Sequence, residues 1–353
     1  MQEKMPAYMT AKTAQIALSH KTNKLNRTTL PRLPPAPGFD GFGEYEEQVR
    51  IWKDWIAWEK EDPLVLKEDE PAALKDRILY VYKQAVMSLR FEPQMWVEAA
   101  DFCFSNDLES DGDDFLKQGI EANPESCLLA FKQADKIEQS TAGDSGDVQK
   151  RGNTVREPFN KLLDALYDLI KKVQARKDKE VSRIQESFAQ EAQEQQERDE
   201  DDEDDDMGYA EARAKEATER EQSQISAVEN SANAQINTLK KTLTAAWIAL
   251  LRAIRRVQGS GTKGKIDDPI PGSRGIMAQA RKRGQLTSDI YIAQALIEHH
   301  CYRNQSAAKL FAAGISLFPD DENLALEFIK HLIDINDITS KFYPSAITSH
   351  SMY

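Results

Sequence analysis

The sequence predicts an all-α array of stacked helix pairs, and three observations carry that prediction. Apolar residues recur at a 3.6-residue period in many separate segments. Short proline-bearing breaks divide those segments, and alternating runs of β-branched residues that would mark strands are missing.

The first 38 residues mix Lys, Thr and Asn and end in Leu30-Pro31-Arg32-Leu33-Pro34-Pro35-Ala36-Pro37-Gly38, a composition that resists helix, so residues 1–38 read as a flexible lead-in. The pattern then changes. Val49, Trp52, Trp55, Ile56 and Glu59 share one helical face up to the break at Asp62-Pro63. Ile78, Val81, Tyr82, Ala85 and Leu89 form a second face that ends before Pro93. Two such helices make a hairpin, and the pattern recurs at fixed offsets from a proline. Leu116-x-x-Gly119-Ile120-x-x-x-Pro124 has the spacing of Phe311-x-x-Gly314-Ile315-x-x-x-Pro319, and Ala85-x-x-Ser88-Leu89-x-x-x-Pro93 is a looser copy. The small middle residue lets helices approach closely, and each proline precedes a new amphipathic helix, carrying Trp96, Cys127 or Leu324.

Residues 39–142 are therefore expected to form one block of helix pairs and 242–339 another. The second block holds Leu243, Trp247, Leu250, Leu251 and Ile254, then Ile276, Met277 and Ala280 beyond a glycine-rich loop, then a helix from Ile290 to His300. Their apolar faces are too broad for isolated surface helices, so neighbours must cover them. Between the blocks, residues 143–241 read as an insertion. It starts with a helical face through Phe159, Leu162, Leu163, Leu166, Leu169, Ile170 and Val173, and continues in Glu, Gln, Ala and Lys. The eight acids Asp199 to Asp206 are expected to break the helix, leaving a mobile acidic projection to about Asn233. Residues 340–353 leave the pattern as a polar tail.

Of the 353 residues 40% are apolar, enough for a folded core, while the net charge of -13 argues against a general nucleic-acid glue, which needs excess Lys and Arg. Cys103, Cys127 and Cys301 are too few and too scattered for a disulfide framework. The longest apolar run, Ala245 to Leu251, falls far short of the roughly 20 residues that span a bilayer, so a soluble chain without a secretion signal or membrane contact is expected.

Candidate chemistry is sparse. Gly259-Ser260-Gly261-Thr262-Lys263-Gly264-Lys265 matches G-x-G-x-x-G and part of a phosphate loop. It follows a helix rather than a strand, and Ile266 stands where a Ser or Thr should hold magnesium, so it reads as an inter-helix loop. Glu298-His299-His300-Cys301 offers ligand-type residues without a second cluster to complete a metal site, and reads as packing. No catalytic constellation, cofactor site or small-molecule substrate site is expected. The densest basic set is Arg252, Arg255, Arg256, Arg274, Arg281, Lys282 and Arg283, with Lys263 and Lys265. It fits RNA phosphates, the acidic insertion or a protein partner, and it lacks exposed aromatics that would stack bases.

Helices with Trp and Glu in the first member and small residues before a proline in the second resemble half-a-TPR (HAT) repeats, whose α-solenoids occur mainly in RNA-processing assemblies. Trp52-Lys53-Asp54-Trp55-Ile56-Ala57-Trp58-Glu59, Tyr80-Val81-Tyr82-Lys83-Gln84-Ala85 and Tyr291-Ile292-Ala293-Gln294-Ala295-Leu296-Ile297-Glu298 carry the likeness further. They resemble the suppressor-of-forked family, the large scaffold subunits of cleavage stimulation factor and its fungal counterpart. The likeness covers about residues 34–140 and 236–339 and implies the middle of a longer array. It also implies a non-catalytic scaffold in nuclear pre-mRNA 3′-end cleavage and polyadenylation, with the cytoplasm also open, and partners among the other cleavage-factor subunits. In the family the later repeats homodimerise, and only the first part of that half is present here. A HAT scaffold of the spliceosome or of pre-rRNA processing, or direct RNA binding through 252–283, are the alternatives. By the same likeness Trp52, Trp55, Glu59, Tyr82, Ala85, Pro93, Trp96, Gly119, Pro124, Trp247, Phe311, Gly314 and Pro319 are repeat-packing residues.

Overall fold

The computed structural model describes residues 5–27, 30–141, 147–201, 207–261 and 270–335, and all regular structure among them is helical. Packing divides the chain into two units, Met1–Lys136 and Ile137–Tyr353.

The first unit is a succession of antiparallel-type hairpins, each helix packed on the next: α1 (Met5–Thr22), α2 (Phe42–Lys60), α3 (Pro71–Ser88), α4 (Pro93–Phe104) and α5 (Glu109–Ala122), with α6 (Cys127–Ser140) beginning at its end. Pro71 and Pro93 stand at the first helical turn of α3 and α4, where a missing N–H costs nothing. Pro124 instead lies in the loop ahead of α6. The core runs through Trp52, Tyr82, Met95, Leu116 and Leu129, all fully buried, and each such side chain stabilises its own hairpin by about 2–3 kcal/mol.

The lead-in reading of residues 1–38 needs correction. Met5–Thr22 is a helix docked on α2, with Ala14 buried and Ala17 and Leu18 packed against the core. Its contact face is two alanines and Leu18, which together give almost no amphipathic signal, so docking rather than pattern orders it. The chain that follows is held at Lys24 and Asn26, whose backbone groups bond both ends of the Gln48 amide at 3.0 Å. Beyond it, residues 30–36 are irregular, as their prolines require.

The second unit is dominated by α7 (Val148–Asp201) and α8 (Met207–Gln258), two helices of 54 and 52 residues, each roughly 80 Å long, packed along one another as an antiparallel pair. A series of buried and half-buried positions runs along α7 through Val155, Phe159, Leu162, Leu166, Ile170, Val173, Lys177, Val181, Ile184 and Phe188, with Leu163 buried beside it. The matching series on α8 is Ala217, Glu221, Ile225, Val228, Ala232, Ile236, Leu239, Leu243, Trp247, Leu250 and Ile254, and near its end Thr244, Ala246, Leu251, Ala253 and Val257 are buried as well. Both series step by four, four and three, an 11-residue period. That period averages about 3.67 residues per turn, so the seam stays aligned with only a slight right-handed twist.

This overturns the expected boundary at residue 241. The supposed insertion and the segment around Trp247 are the two arms of one hairpin, and α8 finds its main partner in α7 as well as in the shorter helix after it. Helix extends through Asp199–Asp201 and through the stretch to Asn233 that was expected to be mobile. Asp202–Asp206 lie outside the described residues, as does the expected tail at 340–353. Four short helices follow among the described residues: α9 (Gly272–Lys282), α10 (Ser288–His300), α11 (Ser306–Leu317) and α12 (Glu322–Asp334), with α10 in contact with α8, α9, α11 and α12. The expected all-α class of packed helix pairs is thus seen in each unit.

Candidate functional site

The two units contain the same three-helix junction. A methyl group at Gly119 of α5 would lie 3.0 Å from Trp96 of α4 and 3.1 Å from Leu129 of α6. One at Gly314 of α11 would lie 3.2 Å from Tyr291 of α10 and 3.1 Å from Leu324 of α12. In both copies the aromatic stands 23 residues before the glycine and the leucine 10 after it. The glycine is the point where one helix rests on its own partner and on the first helix of the next pair. Phe311 is fully buried beside that second junction, stacked on Phe328 at 5.5 Å. Pro124 and Pro319 are exposed in the loops between pairs.

Among the described residues each unit also buries one carboxylate. Glu59, beside the stacked Trp52 and Trp55 rings, accepts from the Trp55 indole at 3.1 Å and from Arg77 of α3 at 3.0 Å. Ala85 and Tyr82 are buried on that same helix. Glu298 accepts from Arg274 of α9 at 2.6 and 2.7 Å, from Gln294 at 2.9 Å and from Asn304 at 3.1 Å. Burial pushes the Glu298 carboxyl up, but the Arg274, Asn304 and Gln294 hydrogen bonds outweigh it and hold the group below its ordinary 4.5. A carboxylate so fully bonded is a structural tie rather than an acid or base in waiting.

The basic set is largely spent in the same way. Arg256 forks onto Glu138 of α6 at 2.6 and 2.7 Å. Arg274 takes Glu298, Arg281 reaches the Tyr291 hydroxyl at 3.4 Å, and Arg283 bonds Asp164 at 2.8 Å while lying 4.2 Å over the Tyr167 ring. That ring in turn accepts the Trp247 indole N–H on its hydroxyl at 3.2 Å. Only Arg252, Arg255 and Lys282 stay outside such ties among the described residues, and Lys263 and Lys265 lie beyond them. The partners of Arg256 and Arg283 are more than 110 residues away in sequence, so no local pattern could have revealed them.

The glycine-rich segment and the histidine run also resolve into packing. Gly259 closes α8 and accepts the Ser273 N–H on its carbonyl at 3.0 Å. Thr262–Pro269 lie outside the described residues. His299 sits edge-on to His331 of α12 at 4.5 Å and to His300 at 4.7 Å. Among the described residues no group of three or more His, Cys, Asp or Glu could hold a metal ion, and no helix is long and apolar enough to cross a membrane. His331, which the sequence gave no reason to single out, is buried with its Nδ1 unpartnered. Burial lowers its affinity for a proton, as do His299 and His300, while Asp334 opposes them. A depressed imidazole contributes stability that is complete above its ordinary value of 6.5 and lost as pH falls below it. The protection of α12 amides, measured as exchange relative to the intrinsic rate at each pH, should therefore fall between pH 7 and about pH 5, and His331→Leu should flatten that dependence.

The profile described as "Suppressor of forked protein (Suf)" matches residues 1–342. The chain belongs to the suppressor-of-forked family. Within that family it is 56% identical over 338 residues to a protein named mRNA 3′-end-processing protein rna14 from Aspergillus fumigatus, covering 96% of this chain and 32% of that protein. It is 45% identical over 356 residues to the rna-14 protein of Neurospora crassa, covering 96% and 29%. A more distant suppressor-of-forked relative, rna14 of Schizosaccharomyces pombe, is 25% identical over 339 residues, covering 96% and 38%. The chain thus spans about a third of the length of these curated relatives. Their names denote mRNA 3′-end processing.

Proposed function

We propose that this chain is a non-catalytic part of a nuclear scaffold for pre-mRNA 3′-end cleavage and polyadenylation, and that its work is to hold helix faces in register for protein partners. The family match over residues 1–342 carries this reading. The chemistry of the fold supports it, because the buried carboxylates and Arg256, Arg274 and Arg283 are tied into helix-to-helix bonds rather than held ready for proton transfer. Partners are then other cleavage-factor subunits, and any homodimer adds to that role rather than replacing it. Affinity capture of the full chain from nuclear extract, read by mass spectrometry, should recover cleavage-factor subunits. Recovery of spliceosomal or pre-rRNA factors in their place would move the scaffold to another assembly, and recovery of no processing factor at all would end the proposal.

A further inference from the structure

With Arg256, Arg274, Arg281 and Arg283 committed to internal bonds, a denser row of free basic side chains lies elsewhere. Lys172, Arg176, Lys179 and Arg183 are all exposed on α7, at steps of four, three and four residues. Those steps repeat the rhythm of the seam but lie about 120° round the helix from Ile170, Val173, Lys177 and Ile184, so the four form one straight stripe on the exposed side. Along the axis they are about 6, 4.5 and 6 Å apart.

Among the described residues Lys172, Arg176 and Lys179 make no ion pair, and Arg183 reaches only Glu180 on its own helix. The other nearby acids are drawn aside. Asp168 meets Lys171 at 3.6 Å and Asp178 meets Lys177 at 3.5 Å, while Glu186 marks where the stripe ends. In a chain of net charge -13, a row of four exposed cations, within whose span the acids Asp178 and Glu180 are already tied to Lys177 and Arg183, is a local reversal of the average.

We infer that this stripe is a track for the phosphate backbone of single-stranded RNA. A row of cations set about one helical turn apart can follow a polyanion, and each neutralised phosphate releases counterions. The stripe carries no apolar or aromatic residue, which disfavours a protein partner needing a buried anchor and removes any means of stacking bases. Recognition is therefore of backbone charge alone, indifferent to base sequence, and the acidic stretch from Glu186 onward confines it to the base-proximal half of the hairpin. That the polyanion is RNA rests on the scaffold's proposed place in mRNA processing, while the track itself rests on charge and spacing.

Fluorescence anisotropy of the full chain with labelled oligouridine and a mixed-sequence RNA of equal length tests this. Four contacts at about 0.7 each give a slope near -3 in log affinity against log salt, or roughly 50-fold weaker binding at 200 than at 50 mM KCl. The pair Lys172→Gln and Lys179→Gln should lower that slope by about 1.4 for both RNAs. Reversal of all four residues to Glu should abolish binding, with helix content checked by circular dichroism. If the reversed chain fails to fold, the Gln pair, which keeps helix propensity, decides the matter. Arg252→Glu with Arg255→Glu should leave binding within twofold. No binding at low salt, binding that the Gln pair leaves unchanged, or preference for one RNA overturns the track. None of these outcomes bears on capture of cleavage-factor subunits.

Discussion

Arg274→Ala should cost about 2–3 kcal/mol at neutral pH, one of the two largest losses expected from a single substitution in the second unit. Among the described residues Arg274 is the one cation on Glu298, whose side chain is 2% exposed while that of Arg274 is 44% exposed. Removing one member of a fully enclosed pair costs roughly 3–5 kcal/mol because the other charge is left without compensation. Here water reaches the side that Arg274 vacates and Gln294 and Asn304 still donate, so the loss is smaller. The sign of the pH dependence distinguishes this account from simple loss of packing. In the native chain the depressed Glu298 carboxyl contributes stability above its ordinary 4.5 and loses it as pH falls through the folded value. Without Arg274, burial pushes that carboxyl up instead, so it takes a proton sooner and the buried charge disappears. The gap between native and variant, followed by urea denaturation, should be widest near pH 7 and narrow on acidification toward pH 5. Glu298→Gln in the Arg274→Ala background should recover part of the loss at pH 7. A gap that stays constant with pH would mean that Arg274 acts through its alkyl stem and not through charge.

Large aromatic residues at helical spacing reveal helices well, because burying Trp52, Tyr82, Trp96 or Trp247 dominates the local free energy and leaves a strong periodic mark. The glycine junctions were legible for the same reason, since the motif around Gly119 and that around Gly314 differ little in spacing. The α1 helix was not legible, because Ala14, Ala17 and Leu18 make a contact face that only α2 renders favourable. Nor was the long hairpin, whose distal seam is thinned to Ala217, Glu221 and Ile225 and whose 11-residue rhythm becomes apparent only when both arms are set side by side. The fate of the basic set was least accessible of all. Arg256 and Arg283 look like a nucleic-acid face in sequence, and only the folded chain brings Glu138 and Asp164 to them. Charge clusters thus leave composition ambiguous between surface and strut, whereas the outward stripe on α7 is distinguishable because its phase relative to the seam can be read once the seam is known.

Gly272→Ala should destabilise the second unit by about 3 kcal/mol, through a mechanism independent of charge. Gly272 opens α9 at φ 57°, where a side chain is already strained, and a methyl group there would lie 2.1 Å from the Gly261 nitrogen and 2.3 Å from the Ser260 carbonyl carbon. Gly261 faces it at φ 90°, and its own methyl group would fall 2.2 Å from the Pro271 carbonyl oxygen. Both obstacles are backbone, so no rotamer change relieves them. The two glycines therefore form a neck that brings the end of α8 against the start of α9, fastened by the Ser273 N–H on the Gly259 carbonyl. Opening the neck displaces α9, and with it the Arg274 tie to Glu298 and the Arg283 tie to Asp164. Thermal unfolding of Gly272→Ala and Gly261→Ala should show similar losses, and the double variant should lose much less than their sum, because the first substitution already parts the two strands. Gly284→Ala tests the specificity of the argument. That glycine also has positive φ, at 72°, but a methyl group there meets nothing within 4 Å. Its cost should be limited to backbone strain of about 1 kcal/mol, and an equal loss at Gly272 and Gly284 would show that conformation alone, and not the close approach of two backbones, sets the requirement for glycine at the neck.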